Sequence, residues 1–195
     1  LILLKCDQVR CTGKIVEKVC CHHLLLPGTH KQYGETVHFW RFISFQRILY
    51  YMCDIIGLSC NEEDRLTRSL PLFGELFSRG HPDGWGIAYF DGSRARVKRA
   101  PGVAVENSLF FDTIKKARSK NIISHLRSGT GGNRCEVNCH PFARPYNGRD
   151  WIFAHNGWVN DVERHPDADG DTDSEQIFHQ MMDHVAEYGD GGAIR

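Results

Sequence analysis

Cys53 opens the run Cys-Asp-Ile-Ile-Gly-Leu-Ser, and several stretches downstream carry side chains able to serve a nucleophile. They are His81-Pro82-Asp83-Gly84-Trp85-Gly86, His125-Leu126-Arg127-Ser128-Gly129-Thr130, Ala154-His155-Asn156-Gly157 and Asp171-Thr172-Asp173-Ser174-Glu175. The thiolate is the reactive form of cysteine, and a free thiol with a pKa of about 8.5 needs a base to supply it. Were Cys53 the first residue of a chain, its own α-amine, with a pKa of about 7.7–8.0, could take and return the proton. Read alone, Cys53 is equally a small buried hydrophobe at a strand start. Asn156-Gly157 offers a side-chain amide and a closely approaching backbone N–H to a tetrahedral oxyanion. The same pair is also the strongest short hairpin signal.

Arg127 ends an apolar run and precedes Ser-Gly-Thr-Gly-Gly, where a guanidinium can grip an α-carboxylate and Thr130 can add a hydroxyl. The plain alternative is a surface Arg before a flexible loop. Asp173 suits an α-ammonium, and equally suits the first turn of a helix. Arg79-Gly80 and Asp83-Gly84-Trp85-Gly86 make a Gly-rich entry to a strand, without the Gly-Lys-Ser/Thr ending of a phosphate loop. Asn138-x-His140-Pro141-Phe142 leaves His140 open to a structural or a catalytic role.

Two metal-like patterns are rejected, so no metal is expected. Asp167-x-Asp169-x-Asp171-x-Asp173 imitates a calcium loop, but Thr172 stands where Gly is needed and Phe178 where the bidentate Glu is needed. Cys135-x-x-x-Cys139-His140 and Cys20-Cys21-His22-His23 lack the paired spacing of a zinc site.

These groups need elements to hold them. Cys53–Ser59 alternates as a strand, and Leu66, Leu70, Phe73 and Phe77 recur at helical spacing over roughly 64–79, with Pro71 kinking that helix or marking its start. Trp85–Phe90 and Ala95–Lys98 are strands joined across Asp91-Gly92. Ser108 is the expected N-cap of a helix to about Arg118. Ile122–Leu126 and Trp151–Ala154 are buried strands, and Ser174 to about Tyr188 a helix. Strands and helices mix without strict alternation, which predicts an α+β fold with antiparallel sheet.

The 195 residues carry no net charge, yet residues 1–51 hold seven Lys/Arg against three Asp/Glu, and 52–195 seventeen against twenty-one. That shift, and the absence of a sustained period before it, mark 1–52 as an extension or propeptide outside the folded domain 53–195. Met52 is a natural initiator. No basic patch suits nucleic acid, and no run of about 18 apolar residues spans a membrane. Eight cysteines in a chain with no signal peptide are expected to be reduced, in the cytoplasm.

Taken in order over about 53–178, these motifs resemble the glutaminase domain of class II (N-terminal nucleophile) glutamine amidotransferases, the Asp-Gly-Trp-Gly form being that of stand-alone members. The resemblance implies a four-layer αββα sandwich, here expected to be shortened at the C-terminus. It implies Cys53 as nucleophile and Asn156 with Gly157 as oxyanion hole. Arg127 and Thr130 would meet the substrate carboxylate and Asp173 its ammonium, with Arg79 and Gly80 flanking the nucleophile. Glutamine or a γ-glutamyl compound is then the substrate, with no cofactor, and a synthase subunit is a candidate acceptor of ammonia. The alternatives are an N-terminal nucleophile peptidase or acylase, and a non-catalytic binding or zinc module.

Overall fold

The computed structural model describes residues 53–129 and 131–189 in full, and the backbone of residues 2–5, 25–32 and 35–42. Three strands lie before Cys53: β1 (Ile2–Lys5), β2 (Leu25–Gln32) and β3 (Glu35–Phe42). The rest follows as β4 (Asp54–Asp64), α1 (Ser69–Phe77), β5 (Gly84–Asp91), β6 (Arg94–Ala100), α2 (Ser108–Lys116), β7 (Ser119–Arg127), β8 (Phe142–Tyr146), β9 (Arg149–Ala154) and α3 (Asp173–Tyr188). Every strand pair is antiparallel, as the irregular alternation of elements predicts. No described helix is long and apolar enough to cross a membrane.

One sheet has the order β4-β7-β5-β6 and a second β1-β9-β8, while β2 and β3 pair with each other. Ile2–Lys5 thus runs along Trp151–Ala154, so four residues from the far side of the expected boundary at Met52 share a sheet with β9. Period-two alternation divides the apolar residues between faces. Ile56, Leu58, Trp85, Ile87, Ile122 and Leu126 pack with Leu70 and Phe73 of α1 and Phe110 and Ile114 of α2. On the opposite face of the same strands, Ile55, Ala88, Phe90 and Ile123 meet Ile152 and Ala154 of β9. The other face of β9, through Trp151 and Phe153, packs on Phe178, Met182 and Val185 of α3. Asp150 adds a polar tie between the sheets: its Oδ2 accepts the Ala95 N–H at 2.8 Å and faces Arg94 Nε at 3.3 Å.

The differences from expectation lie at element ends and in strands that were not expected, β8 and the three before Cys53. Helix α1 starts at Ser69, not 64, and Pro71 falls in its first turn, where a missing N–H costs nothing. The cap of α2 is Asn107, whose side chain accepts the Leu109 N–H at 3.0 Å, so Ser108 is already helical. The β5–β6 turn is centred on Gly92-Ser93, with Asp91 paired to Arg94. β4 runs on to Asp64 through a register irregularity after Ser59. β8 was not expected, yet Asn147 (φ 51°) and Gly148 (φ 75°) form the two-residue connection that Asn-Gly favours.

One glycine fixes the approach of the loop before β8 to β5. A Cβ at Gly86 would stand 2.1 Å from the carbonyl oxygen of His140. That oxygen belongs to backbone, which cannot swing aside as a flexible side chain would. Gly86→Ala is therefore expected to cost about 1–3 kcal/mol of stability, read from urea unfolding; an unchanged midpoint with an unchanged slope would show that the loop yields freely.

Candidate active site

Cys53 lies half-buried just ahead of β4, which pairs with β7 so that Asp54 stands opposite Leu126. The end of β7 therefore falls beside the thiol. Cys53 Sγ is 3.3 Å from both the carbonyl oxygen and the amide nitrogen of Ser128, accepting from the N–H and able to donate to the oxygen. Burial pushes the thiol pKa up to about 11; the Ser128 N–H and the Arg127 charge oppose that rise, and Asp54 adds to it. Asp54 in turn faces His81 Nε2 at 3.5 Å, while His81 Nδ1 lies 2.7 Å from the Phe77 carbonyl.

From the other sheet, the chain leaving β9 delivers Asn156, whose side-chain amide donates to the carbonyl oxygen of Cys53. Gly157 has φ 150°, and a Cβ there would meet His155 Nε2 at 2.8 Å. Only glycine suits that conformation and that proximity. His155 Nδ1 lies 3.1 Å from Ser174 Oγ, which links this turn to the start of α3.

Arg127 is almost wholly buried, at 3% exposure. Its Nη2 donates to the carbonyls of Gly131 (2.6 Å) and Gly132 (3.2 Å), and its Nη1 to that of Asn133 (3.3 Å). Asp173 opens α3, with Oδ2 accepting the Val159 N–H at 2.7 Å and Oδ1 the Ser174 N–H at 2.8 Å. Thr130 lies outside the described residues. Arg79 stands on the surface with its side chain 71% exposed, paired to Glu106 at 2.9 Å, and Gly80 closes the same short turn. The fold thus brings Cys53, Asn156 and the strand end carrying Arg127 together. Arg79 points its charge at Glu106 instead.

A half-buried thiol, an amide donor against its own residue and a buried guanidinium at the adjoining strand end suit acyl transfer from an amide of an amino acid. The family model of class II glutamine amidotransferases matches residues 52–194. The chain belongs to that family. Among relatives of this class II chain, a Haemophilus influenzae protein named "Putative glutamine amidotransferase" is 34% identical over 142 residues, covering 69% of this chain and 48% of that protein. The γ-glutamyl-hercynylcysteine sulfoxide hydrolase of Mycobacterium tuberculosis is 36% identical over 78 residues, covering 40% of this chain and 32% of its own. A crystal structure of a predicted glutamine amidotransferase from Pseudomonas aeruginosa shares 25% identity at a TM-score of 0.44, over 70% of this chain and 55% of that one. The chain spans about half the length of the curated relatives it matches.

Several contacts in this candidate site are not announced by the sequence. Asp83 accepts the Gly129 N–H at 2.6 Å, and Asn138 bridges Asp171 to the Asn133 carbonyl. The signal for the first was present in Asp83-Gly84-Trp85-Gly86, which was read only as a glycine-rich turn. The acidic run 167–173 spends its groups on the fold: Asp171 accepts from Asn138, and Glu175 accepts the N–H groups of Asp169 (3.3 Å) and Gly170 (2.7 Å). Cys135 and Cys139 point at carbonyls of Asn133 and Cys135, and the four described cysteines are free thiols. Elsewhere, His165, Asp167 and His179 bring donor atoms within 4.8 Å of one another. Both ring nitrogens of His165 are engaged there, by Asp183 and the Asp167 N–H, and Arg144 already supplies the cation, 3.0 Å from Asp183 and 3.5 Å from Asp167.

Behind Arg127, His125 and His140 are buried with ring centroids 4.4 Å apart, and none of their ring nitrogens has a hydrogen-bond partner among the described residues. Burial drives the pKa of His125 down to about 3, with His81 adding to the fall, and that of His140 well below 6.5, with His125 adding. Both rings are neutral when folded and take up protons once unfolded, so stability present above pH 6.5 is lost as pH falls toward 3. The slope is about 1.4 kcal/mol per pH unit for each ring. Denaturant unfolding between pH 7 and 4 is expected to show it, and His140→Phe to make it shallower; equal slopes in the two proteins would place the acid sensitivity elsewhere.

Proposed function

We propose that this chain is the glutaminase domain of a glutamine amidotransferase, hydrolysing the side-chain amide of glutamine or of a γ-glutamyl compound through a Cys53 thioester. The observation that carries this reading is the meeting of Cys53, at the head of β4, with Asn156, from the end of β9. The relative named for a γ-glutamyl substrate keeps γ-glutamyl amides within the range. The packing of α1 and α2 on one sheet, of that sheet on β9 and of β9 on α3 supports a four-layer αββα arrangement.

In the proposed reaction the Cys53 thiolate attacks the amide carbon, forming the S–C bond and an oxyanion. The Asn156 side-chain amide and the Gly157 N–H donate to that oxygen. Collapse breaks the C–N bond, the base returns its proton to the leaving nitrogen, and ammonia or an amine departs. Water then adds to the thioester, giving its proton to the base, and the γ-carboxylate leaves with the thiol restored. Arg127 and Thr130 take the substrate's α-carboxylate and Asp173 its α-ammonium; Arg79, paired with Glu106 at the surface, and Gly80 in the same turn take no part. Ammonia passes to a synthase subunit or into water.

The base depends on the state of the Cys53 nitrogen. Attached to residue 52, the nitrogen of Cys53 is an amide without a usable lone pair, and burial holds the thiol protonated near neutral pH. A free α-amine at Cys53 supplies both a base and a positive charge beside the sulfur. A protein beginning at Cys53 is expected to release glutamate from glutamine, and Cys53→Ala to abolish that release. The full chain, verified intact at its N-terminus, is expected to be nearly inactive. Alkylation of its Cys53, followed by peptide mapping, should climb about tenfold per pH unit through neutral pH. Glutamate release by the Ala variant would sink the assignment, and equal rates from the two N-termini would sink the amine as base.

A further inference from the structure

We propose that Asp83 is a positioning residue, whose ion pair with Arg134 latches the loop after β7 and thereby sets Arg127 for a substrate carboxylate. The role of Arg127 in this inference rests on the glutamine reading above; the latch itself does not.

Asp83 is 7% exposed, and three contacts converge on it. Its N–H donates to the Arg127 carbonyl at 3.2 Å, its Oδ2 accepts the Gly129 N–H at 2.6 Å, and its Oδ1 lies 2.5 Å from Arg134 Nε, a contact of opposite charges without hydrogen-bond geometry. One residue therefore ties the end of β7 through its backbone N–H, and through its side chain the first turn of the loop and the loop's far end. Between those ties the carbonyls of Gly131, Gly132 and Asn133 turn inward onto the Arg127 guanidinium. Gly129 also lies close on that group, since a Cβ there would stand 3.1 Å from Arg127 Cζ.

The arrangement alternates charge. A buried anion holds the loop's ends through an N–H and a cation, and a buried cation holds its middle through carbonyls. A carboxylate arriving at Arg127 must share or displace those carbonyls. The loop can give way in the middle and keep its place only if its ends stay fixed, and that is the work of Asp83. Asn at this position could still accept from Gly129 but would lose the ion pair. Arg134, 68% exposed, can be changed without disturbing packing. An ion pair with one solvated member changes affinity by about two- to fivefold, and salt screens it.

The test uses the full chain carrying Cys53→Ala, so that bound glutamine is not consumed. Affinity for L-glutamine is measured by calorimetry and hydrogen exchange over residues 128–134 by mass spectrometry, for this parent, Arg134→Gln, Asp83→Asn and the double variant. Arg134→Gln is expected to raise Kd about two- to fivefold and to speed exchange in the loop. Its effect should vanish in the Asp83→Asn background and shrink at about 0.5 M salt. Unchanged Kd and exchange in Arg134→Gln, or an equal penalty in both backgrounds, would overturn the latch. A parent that binds no glutamine would overturn the glutamine reading, and with it the positioning role assigned to Asp83.

Discussion

A guanidinium buried at the end of a strand dictates much of what surrounds it. Arg127 can be 3% exposed only because its N–H groups find acceptors, and the chain supplies them from the loop that follows. An unpaired charge in that place would cost several kcal/mol. To turn three carbonyls inward the loop must double back tightly, which accounts for the glycines there. At Gly131 a Cβ would stand 2.7 Å from the Trp158 ring, and at Gly132, with φ 76°, 2.8 Å from Asp171 Oδ1. Asn138 then stitches the loop to the segment before α3. The His125–His140 pair is neutral chiefly because it is buried, and the Arg127 charge beside it adds to that effect.

The second organising fact is that the candidate nucleophile and its amide donor come from different sheets. β4 brings Cys53 up against the end of β7, while β9 carries Asn156 to the same point from across the interior. Their distance is therefore set by the apolar residues between the sheets, Ile55, Ala88, Ile123, Ile152 and Ala154, and by the Asp150 tie. A change of volume in that layer reaches the site without touching it.

The strands and helices that hold the site were legible because their periods are local: β4, β5, β7, β9 and α3 follow from alternation or helical spacing. The motifs that carry the candidate site residues were legible as a set, and the structure brings Cys53, Asn156 and the strand end carrying Arg127 together. What escaped was chemistry between distant residues. Nothing in the spacing of Asp83 and Arg134 announces an ion pair, and nothing near Arg79 announces Glu106, because both pairings depend on how separate turns come to rest on the sheet. The cap of α2 falls one residue before the expected Ser108 for a similar reason. Asn107 and Ser108 are both good caps, and the choice depends on where the preceding turn leaves the backbone.

β4 is an edge strand with β7 on one side and no strand on the other among the described residues. Such an edge invites another molecule to pair with it. Here the strand loses its regular register after Ser59 and finishes in Asn61-Glu62-Glu63-Asp64, all exposed. Three carboxylates in succession on a distorted edge repel a second copy and spoil the ladder it would need. The protection is electrostatic, so it fades as dissolved ions screen those carboxylates, and a concentrated salt solution would turn the same edge into a place where molecules stick.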